Sequence, residues 1–169
     1  MLNNPVIVHL LRITLLVLAQ ALVFNHINFL GFINPMIYVM YLYWYPVKTN
    51  RAVLLGVSFY LGFVLDLFSD TMAMHTIAII TTAYLRPALM QFCFGNNYDF
   101  QNFKLSNSTN IQQIAFLSLL VFIHHTVFFF VEIFSFANLM LILKKVLAVG
   151  LSSFILCLML RTLFSIQKK

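Results

Sequence analysis

Long apolar runs separated by short polar breaks dominate the chain. A helix needs about 20 apolar residues to cross a bilayer core. Read by length and apolar continuity, the pattern predicts an all-α membrane protein with six transmembrane helices in one bundle over residues 1–169. The predicted spans are about 6–24, 32–45, 52–68, 71–92, 111–134 and 138–164. The second is short, which leaves two alternatives: it starts earlier, near Asn28, or the protein thins the membrane locally.

Composition argues against a soluble globule. Of the 169 residues, 62% are hydrophobic and only 8% are charged, whereas a soluble domain has about 25% charged residues. The net charge of +6 would suggest a nucleic-acid partner in a soluble protein, but here the basic residues lie mainly at the ends of the spans. We therefore predict a multi-pass protein whose solvent is the lipid bilayer, with no nucleic-acid partner.

The basic residues also predict the orientation. Eight of the ten Lys and Arg residues fall at or near the face from which both termini emerge, and only Lys144 and Lys145 fall near the other face. Because cytoplasmic loops are enriched in Lys and Arg, both termini are expected in the cytoplasm.

Charged residues near the outer face form the first candidate site. Asp66 and Asp70 end the third span, Glu132 lies near the end of the fifth, and Lys144 and Lys145 lie early in the sixth. Charges inside a membrane are costly unless they pair or reach the surface, so we expect interhelical ion pairs. A small ionisable site for a proton, ion or substrate is the alternative. Asp66 is expected to pair with Lys144, Lys145 or a backbone donor, and Asp70 to cap the fourth span.

A face of small and acidic residues runs along the third span. Ser58, Gly62, Asp66 and Asp70 recur every four residues, so they fall on one side of a helix. Small residues let two helices approach closely in lipid. Two alternatives follow: the face with Gly62 or Gly56 packs inside the bundle, or it binds a partner helix.

The histidines and cysteines show no catalytic or metal-binding spacing. His124 and His125 are adjacent, so on a helix they cannot hold one metal together; we expect one of them to bond a neighbouring helix, with a proton relay as the alternative. His75 begins the fourth span and is expected to cap or pair with the nearby acids. Cys93 and Cys157 are expected to be small core residues. With no known catalytic motif present, we predict no enzyme activity, no cofactor and no metal site.

The most specific motifs lie within residues 34–87. In order, they are Asn34-Pro35, an apolar run ending Leu42-Tyr43-Trp44, a basic loop, Gly56, Gly62-Phe63-Val64-Leu65-Asp66-Leu67, Thr71, His75 and Ala83-Tyr84-Leu85-Arg86-Pro87. This order resembles the MreD family of rod-shape-determining proteins, whose size, six spans and cytoplasmic termini also agree. Many members have a glycine where Met72–Met74 stand, and this chain has none there, so the detail of that turn differs.

The resemblance implies a non-catalytic subunit of the bacterial cell-elongation (rod) complex, in the inner membrane, that supports peptidoglycan synthesis and cell shape. It implies MreC, a single-span protein with a periplasmic domain, as the direct partner. The MreB filament, a RodA-type glycosyltransferase and its cognate transpeptidase belong to the wider complex. The candidate structural or partner-binding residues are Asn34, Pro35, Gly56, Gly62, Asp66, Asp70, His75, Arg86, Glu132, Lys144 and Lys145.

The resemblance also implies a fold similar to the S-components of energy-coupling-factor transporters. The alternative function is therefore that of an S-component, which binds a vitamin or a metal ion for transport. Such a subunit should bring polar groups together around an enclosed outer pocket. The predicted outer loops are short and contain few polar residues, which favours the scaffold.

Overall fold

Six α-helices follow one another in the computed structural model, which describes residues 5–27, 31, 33–47, 50–95 and 103–166. Single 3₁₀ turns follow α1, α4 and α5, and the described residues contain no β-strand. The helices are α1 (Pro5–Leu22), α2 (Met40–Trp44), α3 (Arg51–Ser69), α4 (Met74–Phe94), α5 (Asn110–Ile133) and α6 (Leu139–Ile166). The predicted all-α class is confirmed.

Four of the helices, α3 to α6, are long and apolar enough to cross a membrane. Only 33% of the apolar window is buried in both α3 and α6. The outward side chains of α6 are large and apolar, as at Leu147, Leu151 and Met159. An apolar surface of this extent is rare on a soluble monomer and suits a helix that faces lipid.

The helix ends follow local capping signals in part. Thr109 caps α5: its side chain accepts from the backbone of Gln112, whose side chain in turn accepts from the backbone of Thr109. The predicted cap of α4 is wrong. Asp70 instead ends α3 in the left-handed conformation, with φ of 52°, and Ala73 precedes α4 without a side-chain hydrogen bond.

The predicted helix over residues 32–45 is wrong. The only α-helix in its described part is α2, with five residues, and residues 33–39 form no helix. Pro35 explains part of this, because proline lacks a backbone donor and disfavours the helical conformation at Asn34. We call residues 33–47 the central segment.

The central segment fills the middle of the bundle. Neighbouring pairs of helices pack along α3, α4, α5 and α6, and α1 packs on α3. Within the space that they surround, Tyr38, Val39, Met40 and Leu42 have no exposed surface. Irregular backbone at membrane depth is tolerated only where protein groups or water satisfy it. The partners of this backbone therefore define the candidate site.

Candidate functional site

Two polar side chains bond the irregular backbone at the start of the central segment. The amide of Gln20 in α1 donates to the carbonyl of Pro35 at 3.0 Å and accepts from the N–H of Ile37 at 2.8 Å. The hydroxyl oxygen of Ser153 in α6 accepts from the N–H of Met36 at 2.8 Å. Gln20 and Ser153 are fully buried. They replace the partners that a regular helix would supply from its own backbone.

Arg86 of α4 serves the other end of the central segment. Its Nε donates to the carbonyl of Leu42 at 2.8 Å, and its Nη2 donates to the carbonyl of Tyr45 at 2.5 Å. The last carbonyls of a helix have no partner within the helix, and a cation is favourable there. The guanidinium also lies 5.8 Å from the ring centre of Tyr45 and 6.0 Å from that of Phe116. Arg86 thus holds α2 from inside the bundle.

The buried phenol of Tyr38 meets two buried histidine side chains, one from α4 and one from α5. Its oxygen lies 2.7 Å from Nδ1 of His75 in α4 and 2.7 Å from Nε2 of His124 in α5. Nδ1 of His124 has no hydrogen-bond partner among the described residues. Because a buried N–H without an acceptor is rarer than an acceptor with a spare lone pair, we assign the proton of His124 to Nε2. His124 then donates to Tyr38, and Tyr38 donates to His75.

The two adjacent histidines face different elements. Whereas His124 bonds Tyr38, His125 lies 2.8 Å from the carbonyl of Val121 through Nδ1 and 2.9 Å from the hydroxyl of Ser153 in α6 through Nε2. The expectation that one of them bonds a neighbouring helix is confirmed, since His125 does so. Within the described part of the chain, the hydrogen bonds of Tyr38 join the central segment to α4 through His75 and to α5 through His124.

Asp66 caps α4 from the end of α3. Its Oδ1 accepts from the N–H of His75 at 2.9 Å and the hydroxyl of Thr71 at 2.6 Å. Its Oδ2 accepts from the N–H of Thr76 at 2.9 Å and from the hydroxyl of the same residue at 2.6 Å. The first N–H groups of a helix lack partners and carry partial positive charge, so a carboxylate is favourable there. Asp66 thus does what Ala73, the residue before α4, cannot do.

Gly62 lies one turn before Asp66 on the same face of α3. A Cβ atom at Gly62 would lie 2.5 Å from Cα of Thr76 and 2.9 Å from its backbone nitrogen. This face therefore packs inside the bundle, against the first turn of α4, and leaves no room for a partner helix at Gly62. Gly56 is exposed, and a Cβ atom there would meet nothing within 4 Å.

The two glycines predict opposite responses to alanine. Gly62→Ala is expected to destabilise the protein by about 1–3 kcal/mol, because the added methyl group overlaps backbone atoms that cannot rotate away. Gly56→Ala is expected to stabilise α3 by about 0.5–1 kcal/mol, because alanine restricts the unfolded chain and meets no neighbour. The melting temperatures of the two purified variants in detergent test this pair. Equal shifts would contradict the close approach of α4 at Gly62.

The charged residues predicted near the outer face separate into different roles. Lys145 pairs with Glu132 at 2.9 Å and joins α6 to α5, with both side chains about one-third exposed. The expected pairing of Asp66 with Lys144 or Lys145 is wrong, because α4 supplies backbone donors much closer along the chain. The alternative of a backbone donor is confirmed. Asp70 and Lys144 are exposed and take no part in the buried contacts described above.

A second polar cluster ties the other end of α6 to α5. Nη2 of Arg161 donates to the side-chain oxygens of Gln113 at 2.9 Å and Asn110 at 2.8 Å. The hydroxyl of Tyr43 donates to the same oxygen of Gln113 at 3.1 Å, so the central segment joins this cluster. No group of three His, Cys, Asp or Glu side chains that could hold a metal ion occurs in the described ranges.

Sequence reasoning found part of this network and missed the rest. Pro35, Asp66, His75 and Arg86 were candidates, and the structure brings all four to the central segment or to the adjoining start of α4. The missed contributors are Gln20, Tyr38, Ser153 and Gln113. A polar group within an apolar run is the signal that could have identified Gln20, Tyr38 and Ser153, since such groups seek partners inside a membrane bundle.

Comparison with protein-family models, with curated proteins and with solved structures finds no match to this chain.

Proposed function

We propose that this chain is an MreD-like, non-catalytic subunit of a bacterial rod complex. In the inner membrane it would bind an MreC-like single-span protein and help couple the MreB filament to a RodA-type glycosyltransferase and its transpeptidase. The basis is the resemblance carried by residues 34–87.

The filled centre of the bundle is the structural observation that carries this proposal. A solute-binding subunit needs an enclosed space with converging polar groups. Here the centre holds the buried side chains of Tyr38, Met40 and Leu42, and the polar groups around them bond protein backbone or the phenol of Tyr38. This arrangement supports a scaffold over the alternative of an energy-coupling-factor S-component.

The motif residues support the same proposal through their roles in the bundle. Gly62 and Asp66 hold α3 against α4, while His75 and Arg86 contact the central segment. These contacts join parts of the same chain, so these four motif residues stabilise the fold. Recognition of a partner then falls to outward-facing surfaces of the helices, where close packing and a few polar contacts drive association in lipid.

We propose six crossings, with the central segment as the second, and both termini in the cytoplasm. The eight-to-two distribution of basic residues supports this orientation, as do the six spans and cytoplasmic termini of the family that the chain resembles. Topology reporters fused after Lys169 and within residues 96–108 are expected to report the cytoplasm. A periplasmic signal from either fusion would contradict the six-crossing arrangement.

Depletion in the native bacterium tests the function directly. Loss of the chain is expected to round rod-shaped cells, and re-expression is expected to restore their shape. A tagged copy should also co-purify with the MreC-like protein of the same cell. Normal cell shape after depletion, together with no recovery of that protein, would reject the proposal.

A further inference from the structure

One seam of the bundle brings together an arginine and two aromatic rings from distant parts of the chain. The guanidinium of Arg12 in α1 lies over the ring of Trp44, 6.0 Å from its centre. The ring of Phe164 in α6 meets Trp44 edge-on, with 4.9 Å between ring centres. Trp44 therefore connects α1 and α6 at the end of the bundle where α1 begins and α6 ends.

This seam is open to the outside. Arg12 is exposed, Trp44 is half-buried, and Phe164 is 51% exposed. Leu11 and Leu15 on α1 are also exposed. The surface thus combines one cation with apolar and aromatic groups. A ligand with an anionic head and an apolar chain fits this combination.

The charge of Arg12 has no acidic neighbour at this end of the described bundle. The chain contains four acids, and Asp66, Asp70 and Glu132 lie at the opposite ends of α3 and α5. The fourth, Asp99, is outside the described residues. Arg12 lies about 10 Å along α1 from its first residue. Basic sites between transmembrane helices bind anionic lipid headgroups, whose phosphates meet a cation near the membrane surface.

We propose that the seam of Arg12, Trp44 and Phe164 binds an anionic phospholipid. The lipid phosphate contacts the guanidinium of Arg12, and an acyl chain lies against the two rings. A free phosphate ion offers the same head chemistry but nothing to cover the exposed leucines, so the surface favours the lipid. This site is independent of the proposed role in the rod complex.

Trp44 is the single tryptophan of the chain and reports on this site directly. The full-length protein is reconstituted in phosphatidylcholine bilayers that contain either brominated phosphatidylglycerol or brominated phosphatidylcholine, because bromine on an acyl chain quenches nearby tryptophan. Phosphatidylglycerol is expected to occupy the site about fivefold more readily than phosphatidylcholine, because one basic residue near the membrane surface attracts an anionic lipid to about this extent. Arg12→Gln is expected to remove this preference, and Arg12→Lys to keep most of it.

Arg51→Gln is the matched control, because Arg51 is an exposed arginine at the start of α3, on the same side of the bundle. It is expected to keep the preference. Gel filtration confirms that each variant is folded before reconstitution. Equal quenching by the two brominated lipids, or an unchanged preference in Arg12→Gln, would overturn the proposal. Loss of the preference in millimolar inorganic phosphate would assign the site to a free anion and overturn the lipid.

Discussion

Asp66→Ala is expected to destabilise the protein by about 3 kcal/mol or more. The substitution leaves the buried N–H groups of His75 and Thr76 without an acceptor, and each such group costs about 1–3 kcal/mol. It also removes the negative charge that stabilises the start of α4. The melting temperature of the purified chain in detergent, and its abundance in the membrane, are the measurements. Both are expected to fall.

Asp66→Asn tests the hydrogen bonds of the carboxylate without the loss of side-chain volume that Asp66→Ala causes. Asparagine keeps the size and one acceptor oxygen, but its NH₂ group must face either Thr71 and His75 or Thr76, all of which donate. An intermediate loss is therefore expected. Asp70→Asn is the control, because Asp70 is exposed and asparagine tolerates its left-handed conformation. Wild-type stability in Asp66→Ala would show that the carboxylate does not hold α4.

Arg86→Ala is expected to cost about 3–5 kcal/mol. The carbonyls of Leu42 and Tyr45 lose their charged donor, and removal of a large buried side chain leaves a cavity beside Phe116. Because α2 depends on this arginine, the variant should also expose the central segment to limited proteolysis. Melting temperature and protease sensitivity in detergent measure the two effects.

Arg86→Lys tests whether the fork of the guanidinium matters beyond its charge. A lysine ammonium is a single point and lacks the planar fork that reaches two carbonyls, so this variant should recover only part of the stability. Arg51→Ala, at an exposed arginine, is expected to change stability by no more than about 0.5 kcal/mol. Full stability in Arg86→Lys would limit the role of Arg86 to charge alone.

The long helices were predictable because their signals are local. Each of α3 to α6 combines an apolar run of adequate length with a polar break. Thr109 and Gln112 mark the start of α5 within four residues of sequence. Signals of this kind need no knowledge of the rest of the fold.

Apart from Pro35, the residues of the central segment did not predict its irregular form. Met36 to Tyr43 form an unbroken apolar run, and periodicity cannot distinguish such a run in a buried helix from one in a buried irregular stretch. What permits the irregular form is the set of donors and acceptors on Gln20, Arg86 and Ser153. Their positions become adjacent only after the helices pack.

The sequence predicted that an acidic residue caps α4, but it assigned this role to Asp70 and not to Asp66. An acid between two spans suggested a cap for α4, and Asp70 was the nearer residue in sequence. The turn between α3 and α4 places Asp70 and Ala73 at positive φ, which reverses the chain and brings the preceding helical turn of α3 beside the start of α4. Asp66, one helical turn earlier, therefore reaches the N–H groups that Asp70 was expected to bond.

The irregular backbone of the central segment has a consequence for the order of events during synthesis. Arg86, which bonds Leu42, follows it by 44 residues, and Ser153, which bonds Met36, follows it by 117 residues. The central segment leaves the ribosome before either partner exists, and its open backbone cannot stay in lipid alone. If the segment crosses the membrane as proposed, we expect it to stay at the membrane surface or in the insertion machinery until α6 has been translated. In a ribosome-bound chain that ends at residue 133, the central segment is therefore expected to lie outside the lipid, because Ser153 has not yet been synthesised.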